Sequence, residues 1–191
     1  MTATDPELVE RFINGDQEAF AELVRRYQKK IYSLAFRILG DHLDADEVVQ
    51  ETFVRVYRRR KELKPVAYFS TFLVRIATNF AIDLLRKRRG HTGMADDASL
   101  LPGNVQSDLA RRVATPSEWY ENKELMQEVH RALEQLPPRQ RVTAILHDVE
   151  GYSTAEVAQV LNCPEATVRS NLFIARNKLR KILRERFGKG V

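Results

Sequence analysis

The spacing of the apolar residues is the feature that most restricts the fold of this chain. Apolar residues recur three and four positions apart through most of the 191 residues, and no stretch alternates with period two for long enough to indicate a sheet. Between Gly90 and Pro116 the chain instead mixes Gly, Asp, Ser and Pro without a sustained apolar face. The sequence therefore predicts an all-α protein of two small helical domains, 1–90 and 116–191, joined by a flexible linker at 91–115.

Composition favours a folded chain that is neither exported nor inserted in a membrane. Hydrophobic residues make up 43% of the chain and charged residues 30%, which is the balance of a globular protein. The N-terminus lacks the basic and apolar regions of a signal peptide, and no apolar run approaches the roughly 20 residues that span a bilayer. Cys163 is the only cysteine, which fits a reducing compartment. We therefore expect a cytoplasmic location.

Basic residues concentrate in two places, from Arg86 to Arg89 and from Arg169 to Lys189. The formal net charge of +5 indicates a polyanionic partner, although mild basicity alone is common among soluble proteins. The clustering is more informative than the total, because it predicts two separate basic sites.

Local signals place the helix ends in the first domain. Asp5 before Pro6 suits the cap and first turn of a short opening helix. Gly40 is expected to end a long second helix, since glycine readily adopts the left-handed backbone of a helix terminus. Asp44 with Glu47 resembles a capping box and is expected to open a third helix. A fourth helix is predicted to start near Ser70.

The second domain has equally clear signals at its start. Thr115, Pro116 and Glu118 predict a capped helix with proline in the first turn. That helix should end before Pro137 and Pro138. The next helix is marked by apolar residues at helical spacing, which are Val142, Ile145, Leu146 and Val149.

A helix-turn-helix is predicted near the C-terminus. Ser153 and Glu156 form a capping box for a short helix that should end at Asn162, and Pro164 then starts a longer basic helix. Four residues of that helix, at i, i+4, i+7 and i+11, form one exposed ridge: Arg169, Phe173, Arg176 and Arg180. Arginine can pair with guanine edges or phosphates, and a phenyl ring can contact a thymine methyl. The alternative is a merely solvated basic face, which the turn, the cap and the exposed aromatic make the weaker interpretation.

A second nucleic-acid site is predicted on the fourth helix. Arg75, Asn79 and Arg86 share one side of it, and the residues just before or at its start are Lys64, Tyr68, Phe69 and Phe72. Aromatic rings beside cations suit unpaired bases, which stack on the rings while the charges hold phosphates. Spacing alone equally allows Phe69 and Phe72 to be ordinary core residues.

Two motifs carry a resemblance to a known family. The segments DADEVVQETFVRVY and YFSTFLVRIATNFAIDLLRKRR resemble region 2 of the extracytoplasmic-function class of sigma-70 factors. The segment LPPRQRVTAILHDVEGYSTAEVAQVLNCPEATVRSNLFIARNKLRK resembles region 4 of the same class. The motifs occur in family order and cover nearly all of the chain outside the linker and the extreme termini. The sigma-E type is the most similar subgroup.

The resemblance implies a promoter-specific transcription initiation factor. It implies binding to core RNA polymerase, at the beta prime clamp helices and the beta flap, through Asp46, Glu47, Gln50, Glu51 and Val54 on the clamp-facing helix. It implies recognition and melting of a −10 element, with Phe72 and Asn79 at the positions that capture an extruded base. To the same site we assign, from the residues themselves, Lys64, Tyr68, Phe69, Ser70, Arg75 and Arg86. It implies recognition of a −35 element by Arg169, Ser170, Asn171, Phe173 and Ile174, to which the ridge adds Arg176 and Arg180. It also implies control by an anti-sigma factor anchored in the inner membrane.

The sequence departs from the family pattern at three positions. Phe72 replaces a usual tryptophan, and a phenyl ring still packs or stacks. Asn171 and Ile174 stand where basic residues are common, which removes charge from the −35 surface.

Other functional classes find little support in the sequence. The four histidines, His42, His91, His130 and His147, are scattered singly, and none lies in a nucleophile, metal or Gly-rich phosphate motif. The sequence predicts no catalytic residue, no metal, no cofactor and no small-molecule substrate. Cys163, at the start of a helix, is more readily a small turn residue than a reactive thiol.

Two alternative interpretations of the sequence describe proteins that are not enzymes. A helix-turn-helix regulator that acts without polymerase would normally carry a receiver or ligand-binding domain, and the first domain has no α/β pattern. A sigma mimic that titrates an inhibitor should lose its DNA-facing residues. The chain keeps Arg75, Asn79, Arg86, Arg169 and Arg176, although Asn171 and Ile174 lean slightly toward the mimic.

Overall fold

The described part of the chain is built from helices and turns. The computed structural model describes residues 3–63, 69–88, 90 and 123–187, which contain no β-strand. The helices are α1 (Asp5–Ile13), α2 (Gln17–Leu39), α3 (His42–Arg58), α4 (Phe69–Arg88), α5 (Lys123–Glu134), α6 (Pro138–Ala144), α7 (Thr154–Val160) and α8 (Glu165–Phe187). The predicted all-α class is confirmed. None of these described helices is long and apolar enough to cross a membrane.

The described helices fall into two compact units. One is built on α1 to α4, and the other on α5, α6 and α8. The linker predicted at 91–115 and the capping box predicted at Thr115 to Glu118 lie outside the described residues, so both stay predictions.

Helix α2 is the centre of the N-terminal unit and packs against α1, α3 and α4. Its inward face is fully buried at Leu23, Ile31 and Ile38. Helix α4 contributes Leu73 and Ile76, which are 0% and 2% exposed. Burial of each such side chain stabilises the fold by about 1.5–3 kcal/mol, so this core fixes where the polar faces of α3 and α4 point.

Two helix starts in this unit differ from prediction. Helix α1 is capped at Thr4, whose N–H donates to the Glu7 carboxylate at 2.6 Å, so Asp5 lies in the first turn and is not the cap. Helix α3 is capped by Asp41, which accepts from the Asp44 N–H at 2.9 Å. Any acid next to the helix N-terminus is favourable, and spacing alone did not identify which carboxylate reaches the free N–H groups.

The junction between α2 and α3 confirms the predicted role of Gly40. Its φ of 71° is left-handed, and its N–H donates to the Phe36 carbonyl at 2.8 Å. The far end of α4 is fixed to the same junction, because Arg88 pairs with Asp44 and donates to the Leu39 carbonyl at 3.3 Å. Part of the basic run that ends α4 is therefore structural.

The C-terminal unit has its own core between α6 and α8. Leu136, Leu146 and Val168 are fully buried. Arg141 is also buried, with Nη2 3.2 Å from His130 Nε2. Burial and the Arg141 charge hold the pKa of His130 below its ordinary value. This histidine therefore belongs to the interior of the unit.

Helix α6 continues as a π-helical turn, Ile145–Val149, that the sequence did not predict. The Glu150 N–H donates to the Ile145 carbonyl at 2.9 Å, five residues earlier. The wider turn rotates later residues out of the apolar stripe of α6. Val149 is therefore 52% exposed, and its expected place in that stripe is wrong.

Candidate nucleic-acid interface

Helices α7 and α8 form the predicted helix-turn-helix. The capping box is confirmed, since the Ser153 N–H donates to Glu156 at 2.6 Å and the Glu156 N–H donates to Ser153 Oγ at 3.3 Å. Asn162, with a φ of 48°, takes the left-handed conformation in the turn. The Thr154 hydroxyl donates to Glu165 at 2.6 Å and joins the starts of the two helices. The start of α8 is thereby positioned.

The outer side of α8 carries the predicted ridge, which we call the α8 ridge: Arg169, Phe173, Arg176 and Arg180. All four side chains are exposed, and Phe173 is 68% exposed although it is large and apolar. The opposite side packs inward through Val168, Leu172 and Ala175. At about 1.5 Å per residue the ridge is roughly 16 Å long, which matches what a recognition helix presents to a major groove.

Each arginine of the α8 ridge has a partner within the C-terminal unit. Arg169 donates to Glu165 at 2.7 Å, and Arg180 donates to the Asn177 side chain at 3.3 Å. Arg176 makes two bonds to Asp148, from Nη2 at 2.6 Å and from Nε at 3.2 Å. Sequence reasoning missed Asp148, because it lies 28 positions before Arg176 and no local spacing links them.

The other predicted −35 residues surround the ridge. Ser170 is exposed, Ile174 is 37% exposed and Asn171 is half-buried. The surface around the arginines is therefore partly apolar and neutral, as the two departures from the family pattern predicted.

Helix α4 carries the second candidate surface, which we call the α4 face: Phe72, Arg75, Asn79 and Arg86. These side chains follow one another at helical spacing, and all are half-buried. Burial lowers the pKa of the Arg75 guanidinium from its ordinary value. Arg86 has a loose neighbour, with Nη1 3.8 Å from Asp83 Oδ1. The face is thus polar but recessed.

Two residues at the start of α4 pack against α2. Phe69 is 3% exposed and packs edge-on against Tyr27, with ring centroids 5.6 Å apart, so its ring is a core residue. Ser70 is half-buried and accepts a hydrogen bond from Lys30 Nζ at 3.2 Å. Both contacts fasten α4 to α2. Lys64 and Tyr68 lie outside the described residues.

Helix α3 presents the predicted polymerase-facing side. Asp46, Glu47 and Gln50 are exposed, whereas Glu51 and Val54 are half-buried. The opposite side of α3 is buried at positions 45, 48, 52 and 56. Arg55 Nε donates to Glu51 at 2.6 Å, and its guanidinium lies 5.0 Å from the centre of the Phe80 ring. One charge on this side of α3 is therefore tied to α4.

An aromatic cluster next to this side was not predicted. The His42 ring stacks on Phe36 with centroids 4.4 Å apart, and His42 Nδ1 lies 2.5 Å from the Tyr32 hydroxyl. Leu43 beside it is 80% exposed. The i, i+4 spacing of Tyr32 and Phe36 was the only available signal, and it did not indicate which face they share with His42.

The remaining chemistry of the described residues is sparse. They include no group of three or more His, Cys, Asp or Glu side chains that could hold a metal ion. Cys163 is half-buried, and burial raises the pKa of its thiol, which disfavours the reactive thiolate.

Comparison with known proteins agrees with both halves of the sequence interpretation. A family model of sigma-70 region 2 matches residues 23–91, and a family model of sigma-70 region 4 matches residues 126–179. The ECF RNA polymerase sigma-E factor of Escherichia coli K12 is 37% identical over 186 residues, covering 95% of this chain and 97% of that protein. The ECF RNA polymerase sigma factor SigW of Bacillus subtilis is 33% identical over 172 residues, covering 90% of this chain and 92% of that protein.

Solved structures show the same fold. CnrH, in complex with the cytosolic domain of CnrY, gives a TM-score of 0.66 at 26% identity, covering 94% of this chain and 96% of CnrH. The sigma factor RpoE of Bartonella quintana, in complex with the anti-sigma factor NepR, gives 0.59 at 20% identity, covering 86% of this chain and 96% of RpoE.

The order of the two regions, the helix-turn-helix and the length of the match define the class of this protein. The chain belongs to the extracytoplasmic-function class of the sigma-70 family, the factors that direct RNA polymerase to promoters.

Proposed function

We propose that the two candidate surfaces divide the promoter between them, with the α8 ridge reading the −35 element as duplex and the α4 face holding an unpaired base of the −10 element. The observation that carries the proposal is the exposed α8 ridge on a helix-turn-helix, in a chain whose α4 face is recessed. A duplex needs an open surface, whereas an extruded base needs a partly enclosed one.

At the −35 element the exposed side chains define the contacts. Arg169 and Arg176 supply guanidinium groups for guanine edges or phosphates, and Phe173 supplies an apolar contact for a thymine methyl. Arg180, about one turn beyond Arg176, suits a phosphate. Ser170 and Asn171 contribute neutral hydrogen bonds, and Ile174 contributes an apolar contact where the family usually places a charge.

At the −10 element Asn79 is the proposed base reader. An amide offers both a donor and an acceptor, so it can recognise the edge of a base once that base has left the stack. Phe72 lies on the same face and supplies the ring against which the base packs. Arg75 and Arg86 hold the backbone, together with Lys64 and Tyr68, while Phe69 and Ser70 act by fixing α4.

The acidic side of α3 is the proposed contact with core RNA polymerase. Asp46, Glu47, Gln50, Glu51 and Val54 offer charge, amide and apolar groups along one side of a helix anchored by its buried face. We assign this side to the beta prime clamp helices and the C-terminal unit to the beta flap. The DNA-reading residues lie on other helices, so each function can be tested separately.

An anti-sigma factor is the proposed regulator. The structurally similar RpoE is bound to an anti-sigma factor, and this chain leaves Leu43 and Tyr57 80% and 40% exposed on its N-terminal unit. Such apolar groups suit a protein that covers the polymerase-binding surface. We propose that this regulator is anchored in the inner membrane and holds the chain at its cytoplasmic side.

Transcription in vitro with core RNA polymerase on a promoter library tests the proposal. Adding the chain should yield transcripts only from templates that share two sequence elements at a fixed spacing. Transcripts that depend on a single element, or none above core polymerase alone, would refute it. Core polymerase with its own primary sigma factor is the positive control for the templates.

A further inference from the structure

The ion pair between Asp148 and Arg176 differs from the other contacts of the α8 ridge. Asp148 belongs to the π-helical turn and Arg176 to α8, so the bond joins two elements. It is also two-pronged, since Nη2 donates at 2.6 Å and Nε at 3.2 Å to different oxygens of the same carboxylate. Arg169, by comparison, donates once to a residue of its own helix, Glu165.

Asp148 is flanked along the chain by residues of the core. Three and two positions before it, Ile145 and Leu146 are 1% and 0% exposed. Four positions after it, the Tyr152 N–H donates to the Leu146 carbonyl at 2.9 Å, and Tyr152 is itself buried. His147 Nδ1 lies 3.2 Å from Asp148 Oδ1 as well. The chain on either side of this carboxylate is thus anchored in the core.

The edge of the Arg176 guanidinium that is bonded to Asp148 determines which N–H donors remain available to bind DNA. Asp148 uses Nε and one N–H of Nη2, and a guanidinium has five N–H groups, so both donors of Nη1 and the second donor of Nη2 stay available. Those donors form the outer end of the fork, the end that meets a guanine edge or a phosphate in a bidentate contact. The Arg176 side chain is 50% exposed, so this end is accessible.

We propose that Asp148 is a positioning residue for promoter recognition: it fixes the Arg176 guanidinium side-on so that its outer end addresses the −35 element in one orientation. The proposal rests on the −35 role given to Arg176 above. A two-pronged contact fixes the orientation of the guanidinium in addition to whatever the exposed pair contributes to folding. A fixed fork loses less rotamer freedom when it binds DNA, which favours the matched sequence over others.

The test uses holoenzyme assembled from the full chain and core polymerase. Binding is measured to a promoter selected from the library and to the same promoter with its −35 element replaced. The variants are Asp148→Asn, Arg176→Ala, the double variant, Arg169→Ala, and Glu185→Gln as a control that removes one exposed negative charge from α8 away from Arg176. Thermal unfolding of each variant checks that the fold is unchanged.

Asp148→Asn should reduce the preference for the matched promoter by roughly three- to tenfold and leave binding to the replaced promoter unchanged, as expected for a lost orientation. Arg176→Ala should lose at least as much, and the double variant should lose no more than Arg176→Ala, because both changes remove one contact. Glu185→Gln should match the unsubstituted chain.

Three results with the Asp148→Asn variant would overturn the inference. Asp148→Asn could bind both promoters more tightly, which would make Asp148 a competitor of DNA, or could match the unsubstituted chain, or its defect could add to that of Arg176→Ala. If Arg176→Ala itself keeps full preference, the role of Arg176 and this inference fail together. Arg169→Ala then decides whether the wider −35 assignment survives, because it does not depend on Asp148.

Discussion

The α4 face and the α8 ridge present similar residue types in different surroundings. Helix α4 packs against both α2 and α3, and ten of its 20 residues are buried, so its polar residues are half-buried as well. Helix α8 packs mainly on α6 and leaves Phe173 68% exposed. Arginines and a phenyl ring therefore lie on a recessed face in one unit and on an open one in the other.

The difference in burial suggests a difference in when each surface works. The α8 ridge can meet a major groove without rearrangement, because its side chains already extend into solvent. Under the proposed assignment, the α4 face receives a base only after that base leaves the duplex, and unpairing costs a few kcal/mol that binding must offset. The −35 contact should therefore precede and support opening at −10.

Core substitutions should have the largest effects, and each effect should be confined to the unit that carries the substitution. Leu73→Ala and Leu172→Ala remove side chains that are 0% and 4% exposed, and each should cost about 2–5 kcal/mol of its own unit's free energy of unfolding. Amide hydrogen exchange followed by mass spectrometry distinguishes the units. Leu43→Ala, at a position 80% exposed, is the control and should change stability by less than about 0.5 kcal/mol. Loss of protection in α8 after Leu73→Ala would contradict the independence of the two units.

Arg169→Ala should have the next largest effect, confined to the −35 element. The loss of a bidentate base contact should weaken binding by about 1–3 kcal/mol and relax specificity at one base pair. Competition binding of holoenzyme to single-base variants of the −35 element measures both. A uniform loss over all sequences, with the salt dependence reduced by about one ion, would show instead that Arg169 contacts phosphate.

Acid should have the smallest effect and should act on both units. Hydrogen bonds from the Ala19 N–H and from Arg11 lower the pKa of Asp16, while Thr154 and Arg169 lower the pKa of Glu165. A depressed carboxyl pKa stabilises the folded state above the unfolded pKa, and that contribution is lost as pH falls through about 4 toward the folded value.

Asp16→Asn tests this pH dependence within the N-terminal unit. Asparagine still caps α2 but does not titrate. The unfolding temperature of this unit should therefore fall less steeply between about pH 5 and pH 3 than in the unsubstituted chain. Glu165→Gln is the matched change in the C-terminal unit. An unchanged pH profile in both variants would assign the acid sensitivity to other carboxylates.

Sequence alone predicted those parts of the fold that depend on local spacing. The all-α class, the end of α2 at Gly40, and the capping box and turn before α8 follow from residues at most four positions apart, and the structure confirms them. Spacing could not rank neighbouring capping residues, so the predicted caps of α1 and α3 differ from the observed ones, Thr4 and Asp41. It also had no signal for the π-helical turn, in which Ile145 and Leu146 are buried and Val149 is 52% exposed.

For the candidate site, the sequence predicted which helix face each residue lies on but not which residue it contacts. Periodicity placed the arginines of α8 outward, but the bond from Arg176 to Asp148 spans 28 positions. Periodicity also could not show that Phe69 is 3% exposed and packs against Tyr27, 42 positions earlier in the chain.

The most direct test of the proposed division is open-complex formation by the Asn79→Ala and Arg169→Ala holoenzymes on duplex promoters and on the same promoters with the −10 element mismatched in advance. Core-polymerase affinity is measured alongside. Arg169→Ala should bind both promoters less well, because its contact lies in duplex present in each.

Asn79→Ala should bind an isolated −35 duplex and core polymerase normally and open the duplex promoter poorly, since the base it would hold is no longer captured. A mismatched −10 element should restore part of that loss, because the unpairing cost has been removed. Equal defects of Asn79→Ala on the −35 duplex and at the −10 element, or loss of polymerase binding, would contradict the assignment of the two surfaces.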